Sequence, residues 1–207
     1  MRHMRVSEIL ARLQNFSRID QAILEAKAEI GTNVHKAITL DAQGQPIQEL
    51  TQREMAYYKS YEMFRDNYKP SYIMLESRFN EDNLMITGEI DALAKVNNDI
   101  VILDWKTSAT ANKKIWEMQA HFYWYILNAN KIPVSNTMFW VHLRQDKVKQ
   151  VDEDGVQILD WTGSPIIEYE AREPKILQFT WDAKVLQGCI QEAEKAWEEK
   201  KSNFDID

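Results

Sequence analysis

One cysteine in 207 residues, Cys189, leaves nothing to pair in a disulfide. It also excludes a four-cysteine iron–sulfur cluster and a cysteine-rich zinc site, and it points to a reducing compartment, the cytoplasm. Six glycines and five prolines supply few flexible joints, and no linker or internal repeat divides the chain. No apolar run approaches the roughly 18 residues of a membrane span, and no signal-peptide pattern opens the sequence, so no membrane partner is expected. Positive charge is also in deficit: 25 Lys and Arg against 32 Asp and Glu give a net charge of −7. That excludes a protein gripping nucleic acid by bulk charge, but not one that meets phosphates through a metal ion or a local basic patch.

What is present is ordinary for a globular chain, 44% hydrophobic and 28% charged. At about 150 residues per domain the length corresponds to roughly 1.4 domains. We expect one domain over 1–207, with N-terminal helices in 1–69, a core in 70–145, and C-terminal strands and a helix in 146–207. Ser7–Phe16 reads as a short helix. Asp20 caps a longer one whose apolar positions Ile23, Leu24, Ile30, Val34 and Ile38 keep near-helical spacing. Thr51-Gln52-Arg53-Glu54 is a capping box that opens a helix to about Tyr68, with Tyr57, Tyr61, Phe64 and Tyr68 as a core stripe. After Pro70, Tyr72–Phe79, Met85–Val96 and Ile100–Lys106 read as consecutive strands, Lys113–Asn128 as a helix, and Asn136–Leu143 as another strand. Short strand-like pieces follow in 148–180, then a last helix over Asp182–Lys201. This order predicts an α/β fold, a central mixed β-sheet flanked by helices.

The segment from Gly88 to Lys106 carries the most chemistry. Asn97-Asn98 suits a two-residue turn, because Asn tolerates positive φ. Antiparallel pairing across it places Leu93 opposite Ile102, Asp91 opposite Asp104 and Glu89 opposite Lys106. One face then collects Glu89, Asp91, Asp104 and Lys106 at one end. The other collects Ile90, Ala92, Ala94, Val101, Leu103 and Trp105. A slip of one residue would bury Asp104 among apolar side chains, so burial selects this register. Two carboxylates held side by side repel unless something offsets them. Lys106 alone could do so as a salt-bridged cluster, and a divalent cation with oxygen ligands is the other solution.

These residues resemble a known pattern. Gly88-Glu89-Ile90-Asp91, followed by Asp104-Trp105-Lys106, is similar to the core of the PD-(D/E)XK nuclease superfamily, in particular its RecB-like exonuclease branch. Gly31-Thr32-Asn33-Val34-His35 resembles that branch's G-x-x-x-H helix, Glu76-Ser77-Arg78-Phe79 its acidic strand, and Gln119-Ala120-His121-Phe122-Tyr123 its Q-x-x-x-Y helix. The resemblance spans about Gly31 to Tyr123. Each signal is weak alone; their joint order is specific.

The resemblance implies a restriction-endonuclease-like core and a DNA nuclease that uses Mg²⁺ or Mn²⁺. It implies His35, Asp91, Asp104, the Trp105 carbonyl and Glu76 as metal ligands, and Asp91, Asp104 and Lys106 as the catalytic set. Lys106 would hold the attacking water or stabilise charge on phosphorus. Gln119 and Tyr123, on one helix face, would position the nucleic-acid backbone or the lysine, and Lys113 and Lys114 are the nearest basic patch. Gly31, one turn before His35, would let its helix approach the hairpin. Two departures stand out: the superfamily's Pro is Ile90 here, and its final acid is Asp104 rather than Glu. No helicase motif is present, so strand separation would come from another chain, a helicase or recombination protein. The expected activity is exonucleolytic, in recombination, repair or phage DNA processing. The alternatives are a structure-selective or nicking endonuclease, a non-catalytic DNA-binding module on a nuclease fold, and a metal-free ion-pair cluster in another kind of enzyme.

Overall fold

A computed structural model describes residues 2–14 and 19–204. In chain order its elements are β1 (Met4–Arg5), α1 (Val6–Ala11), α2 (Gln21–Ala42), α3 (Gln52–Tyr68), β2 (Ser71–Glu81), β3 (Ile86–Val96), β4 (Asp99–Lys106), α4 (Lys113–Ala129), β5 (Thr137–Lys149), β6 (Ile167–Thr180) and α5 (Ala183–Phe204). Local chemistry sets most of these boundaries. The Asp20 carboxylate accepts the Ala22 amide and starts α2. Thr51 and Glu54 close the capping box of α3, which ends at Lys69 in a left-handed conformation before Pro70. Asn97 and Asn98, with φ of 49° and 74°, turn β3 into β4.

The strands form one mixed sheet in the order β1-β3-β4-β5-β6, with β2 on the other edge of β3. The β1–β3 and β4–β5 pairs are parallel, the others antiparallel. The β3–β4 ladder keeps the expected register, Val96 with Asp99 and Leu93 with Ile102, and runs as far as Ala92 with Leu103. Beyond that point the same edge of β3 pairs with β1, at Ile86 and Thr87. Gly88–Ile90, between the two partners, pair on the β2 side only, and Asp91 is in neither ladder. The sheet therefore forks at Asp91, where β4 leaves β3.

Two cores sandwich the sheet. On one side α1, α4 and α5 bury Ile9, Phe122, Ile126, Cys189 and Ala193 against Ile86, Ile90, Leu93, Ile102 and Trp140. On the other, α2 and α3 bury Val34, Ile38, Tyr57, Tyr61 and Phe64 against Ala92, Ala94, Val101, Leu103 and Trp105. Trp105 meets Tyr61 and Phe64 edge-on, with ring centroids 5.4 and 5.5 Å apart. Such pairs add about 1 kcal/mol each to the burial itself and pin the strand end that carries Asp104 and Lys106.

Several expectations need correction. The first helix spans Val6–Ala11 rather than reaching Phe16, which lies outside the described residues. β5 continues to Lys149 and pairs with a 14-residue β6 as an arm beyond the core. Charged residues line that arm, so it lacks the apolar alternation that marks a half-buried strand. The first turns of α2 stand clear of the core, with Ile23 half exposed. Ile90 packs with Leu93 and α4, not with Ala92 and Ala94.

Candidate metal and catalytic site

The misplacement of Ile90 marks how the site is built. In β3, Ile86, Ile90 and Leu93 face one core, while Ala92, Ala94 and Val96 face the other. In β2, Leu75 packs on the α2/α3 side and Phe79 on the opposite side, although they share parity. Both strands thus change faces between the pairs Leu75–Ala92 and Ser77–Ile90, where Glu76 stands opposite Asp91. Glu76 takes a φ of 43° there. A left-handed conformation inside a strand costs of order 1 kcal/mol or more and re-aims the side chain. Its Oε1 accepts a hydrogen bond from Thr39 Oγ1 of α2 at 3.3 Å.

The switch brings Glu76 and Asp91 under His35 of α2. One ligand atom from each of His35, Glu76 and Asp91 lies within 4.8 Å of the other two. His35 Nδ1 is 3.5 Å from Asp91 Oδ2, and the same oxygen accepts the Trp105 amide at 2.8 Å. That amide lies just past the end of the β3 ladder, so Asp91 bridges the fork. Gly31 lets α2 approach: a Cβ there would sit 3.2 Å from Thr107 Oγ1, next to Lys106.

Asp104 is 1% exposed and stands outside that group of three. Lys106 Nζ lies 2.5 Å from its Oδ2, and Gln119 Nε2 donates to Oδ1 at 3.3 Å. Gln119 is held in turn by Tyr123 Oη at 2.8 Å and by the Trp140 indole at 3.5 Å. Glu89, expected opposite Lys106, turns instead to Arg78. Each buried aspartate thus has its own cation, His35 for Asp91 and Lys106 for Asp104, which is how two like charges coexist in the interior.

The electrostatics follow. Burial opposes the charged imidazole of His35, but the adjacent Asp91 outweighs it and raises its pKa to about 9. Burial pushes Asp91 up, and His35 more than reverses this, leaving it below the usual carboxylate range. Burial holds Asp104 up at about 7, with Lys106 opposing and Asp91 reinforcing. Glu76 is raised by burial and by Asp91. The donor set, one imidazole nitrogen with carboxylate oxygens, fits Mg²⁺ or Mn²⁺.

A family model of the PD-(D/E)XK nuclease superfamily matches residues 7–203. The chain belongs to that superfamily. No curated protein matches this PD-(D/E)XK chain. Solved structures similar to it include LHK-Exo in complex with dAMP, at 9% identity and TM-score 0.49, covering 99% of this chain and 90% of the other. A phage related exonuclease from Haemophilus somnus 129PT, at 13% identity and TM-score 0.44, covers 98% and 96%.

The sequence candidates divide into two groups within this PD-(D/E)XK fold. His35, Glu76, Asp91, Asp104, Trp105, Lys106, Gln119 and Tyr123 come together at the fork. Lys113 and Lys114 do not: both are exposed at the start of α4, and Lys114 borders a cleft against α5. Gln119 and Tyr123 are turned inward, Tyr123 being 6% exposed. Gly88 explains the close fit of Tyr123, since a Cβ there would lie 3.0 Å from its ring. Trp140 and Thr39, which support Gln119 and Glu76, carry no signal in the sequence. No helix among the described residues is long and apolar enough to cross a membrane.

Proposed function

We propose that this chain is a divalent-metal-dependent deoxyribonuclease of the RecB-like branch that degrades DNA from an end, in recombination, repair or phage DNA processing. The observation that carries the reading is the convergence of His35, Glu76 and Asp91 beside the Asp104–Lys106 pair. His35, Glu76 and Asp91 would hold the ion, joined by Asp104 and the Trp105 carbonyl. A bound Mg²⁺ or Mn²⁺ neutralises phosphate charge and lowers the pKa of water. Lys106, 20% exposed at its side chain, reaches from the buried Asp104 toward solvent. There it orients the attacking water and stabilises negative charge on the phosphoryl oxygens. Gln119 fixes Asp104 by hydrogen bonding and keeps the Asp104–Lys106 unit in place. Trp105 donates its amide to Asp91 and so fixes the spacing of the two acids.

The test is digestion of end-labelled linear DNA beside covalently closed circles, with and without Mn²⁺. Loss of linear DNA alone, abolished by Lys106→Ala, is the expected result. Cleavage of closed circles would favour a nicking endonuclease. Metal binding without cleavage of any DNA would leave a binding module, and full activity of Lys106→Ala in a clean preparation would refute the site.

A further inference from the structure

A second feature adjoins the fork. The exposed first turns of α2 and the loop after β4 enclose a groove of about 420 Å³. Lys27 and Arg53 lie on it, the half-buried Leu24 and Ile30 with the edges of the otherwise buried Tyr57 and Trp116 form apolar wall, and Thr107 stands at its catalytic end. Among the described residues no acid lines it, although the chain carries a net charge of −7. Neither Lys27 nor Arg53 has an ion-pair partner among the described residues. The Arg53 guanidinium lies over the Tyr169 ring at 5.6 Å, and its Nε is buried without a hydrogen-bond partner.

The groove shares both walls with the catalytic cluster. Leu24, Lys27, Gly31 and His35 fall on one face of α2, at i, i+3, i+7 and i+11. Eleven residues of helix span about 16 Å, so the cation at Lys27 lies roughly 12 Å along the axis from His35. The facing wall is the loop that begins directly after Lys106. We infer that this groove holds a single-stranded segment of the substrate next to the scissile phosphate, with backbone phosphates on Lys27 and Arg53 and bases against the apolar wall. The inference rests on the nuclease reading and adds the strand state and its path. A duplex presents phosphate and sugar outward and leaves an apolar wall unfilled, whereas an unpaired strand offers base faces to it. A peptide is the weaker occupant, because two unpaired cations match a regularly spaced polyanion.

The test measures binding rather than turnover. A labelled oligothymidylate of about twelve nucleotides, and a duplex of equal length, are titrated by fluorescence anisotropy with Ca²⁺ as the divalent ion, the DNA being checked for integrity. Single-strand binding should exceed duplex binding. Lys27→Glu, at an exposed helical position that cannot disturb the core, should weaken it several-fold, and Lys27→Glu with Arg53→Gln by about tenfold or more. The slope of log affinity against log salt should flatten by about 1.4 in the double variant, about 0.7 for each phosphate contact. The same charge change at Lys184, exposed on α5, should leave affinity and slope unchanged. A double variant that binds within about twofold of the parent at unchanged slope, while still cleaving DNA, overturns the groove and leaves the nuclease reading standing. Equal binding of duplex and single strand overturns the strand assignment. A parent chain that neither binds nor cleaves DNA overturns both readings.

Discussion

Loading the site with a divalent ion should expel protons, and the number can be worked out from the structure. In the metal-free protein His35 titrates at about 9 and Asp104 at about 7. At pH 7 the first is about 99% protonated and the second about half. Both must be deprotonated to ligate, so Mn²⁺ binding at pH 7 releases about 1.5 protons, close to two at pH 6 and about one at pH 8. Integrated from pH 6 to 8, His35 contributes about two decades of apparent affinity and Asp104 about one. The total is roughly a thousandfold, or about 4 kcal/mol. Titration calorimetry in two buffers of different ionisation enthalpy reads the proton count directly. His35→Gln should lower the release at pH 7 by about one, to about 0.5. A release that stays below about half a proton and does not respond to His35→Gln would show that the imidazole neither carries that proton nor takes the ion. The same shifts fix the sign for stability. His35 and Asp104 both have raised pKa values in the fold. Their contributions are full below 6.5 and 3.8 respectively, and are lost as pH rises through about 9 and about 7. The metal-free protein should therefore melt at lower temperature at pH 9 than at pH 6, and Mn²⁺ should reverse the difference.

Three substitutions probe the same frame. Asp104→Asn should abolish DNA cleavage yet raise the melting temperature of the metal-free protein at pH 8 by a few degrees, because a 1%-exposed group no longer ionises against burial; a drop in melting temperature would count against the assigned cost. Gly88→Ala should cost about 1–3 kcal/mol in urea denaturation, since the new Cβ meets two Tyr123 ring carbons at 3.0 Å and Ile126 Cδ1 at 3.1 Å. Cleavage should fall with it, as Tyr123 and Gln119 shift away from Asp104. Thr51→Ala should cost about 1 kcal/mol in urea denaturation by breaking the α3 capping box, which Glu54 shares with Asn33 of α2.

Much of this was legible in the residues because single side chains decide it. Asp20, Thr51 with Glu54, Pro70 and Asn97-Asn98 each satisfy or break particular backbone groups, so they mark element ends without any knowledge of packing. The β3–β4 register followed from Asn97-Asn98, since a two-residue turn pairs Val96 with Asp99; burial did not decide it, because both faces are covered and Asp104 is buried all the same. The β5–β6 arm was not legible. Its pairing is backbone to backbone, with Asp146, Lys147 and Glu170 exposed along it, so no hydrophobic period announces it. The groove cations were missed for another reason. Lys113 and Lys114 adjoin the motif in sequence, but Lys27 and Arg53 adjoin it in space, through two different helices.

The face switch at Glu76 and Asp91 is the feature that sequence patterning is least able to show, and the site depends on it. Strict alternation would put Ile90 with Ala92 and keep Asp91 on the α4 side of the sheet with Leu93. His35 lies on α2, which packs on the other side. A regular hairpin would thus separate the imidazole from Asp91, whose Oδ2 it meets at 3.5 Å. The switch removes this conflict by changing faces in two neighbouring strands at once, which leaves the β2–β3 register intact on either side. A change in one strand alone would break that ladder. Its cost, a left-handed Glu76, falls on the residue whose carboxylate is thereby turned toward Asp91. The local irregularity and the ligand geometry are therefore one feature, and a variant relieving the strain, Glu76→Gly, should gain backbone freedom while losing metal affinity.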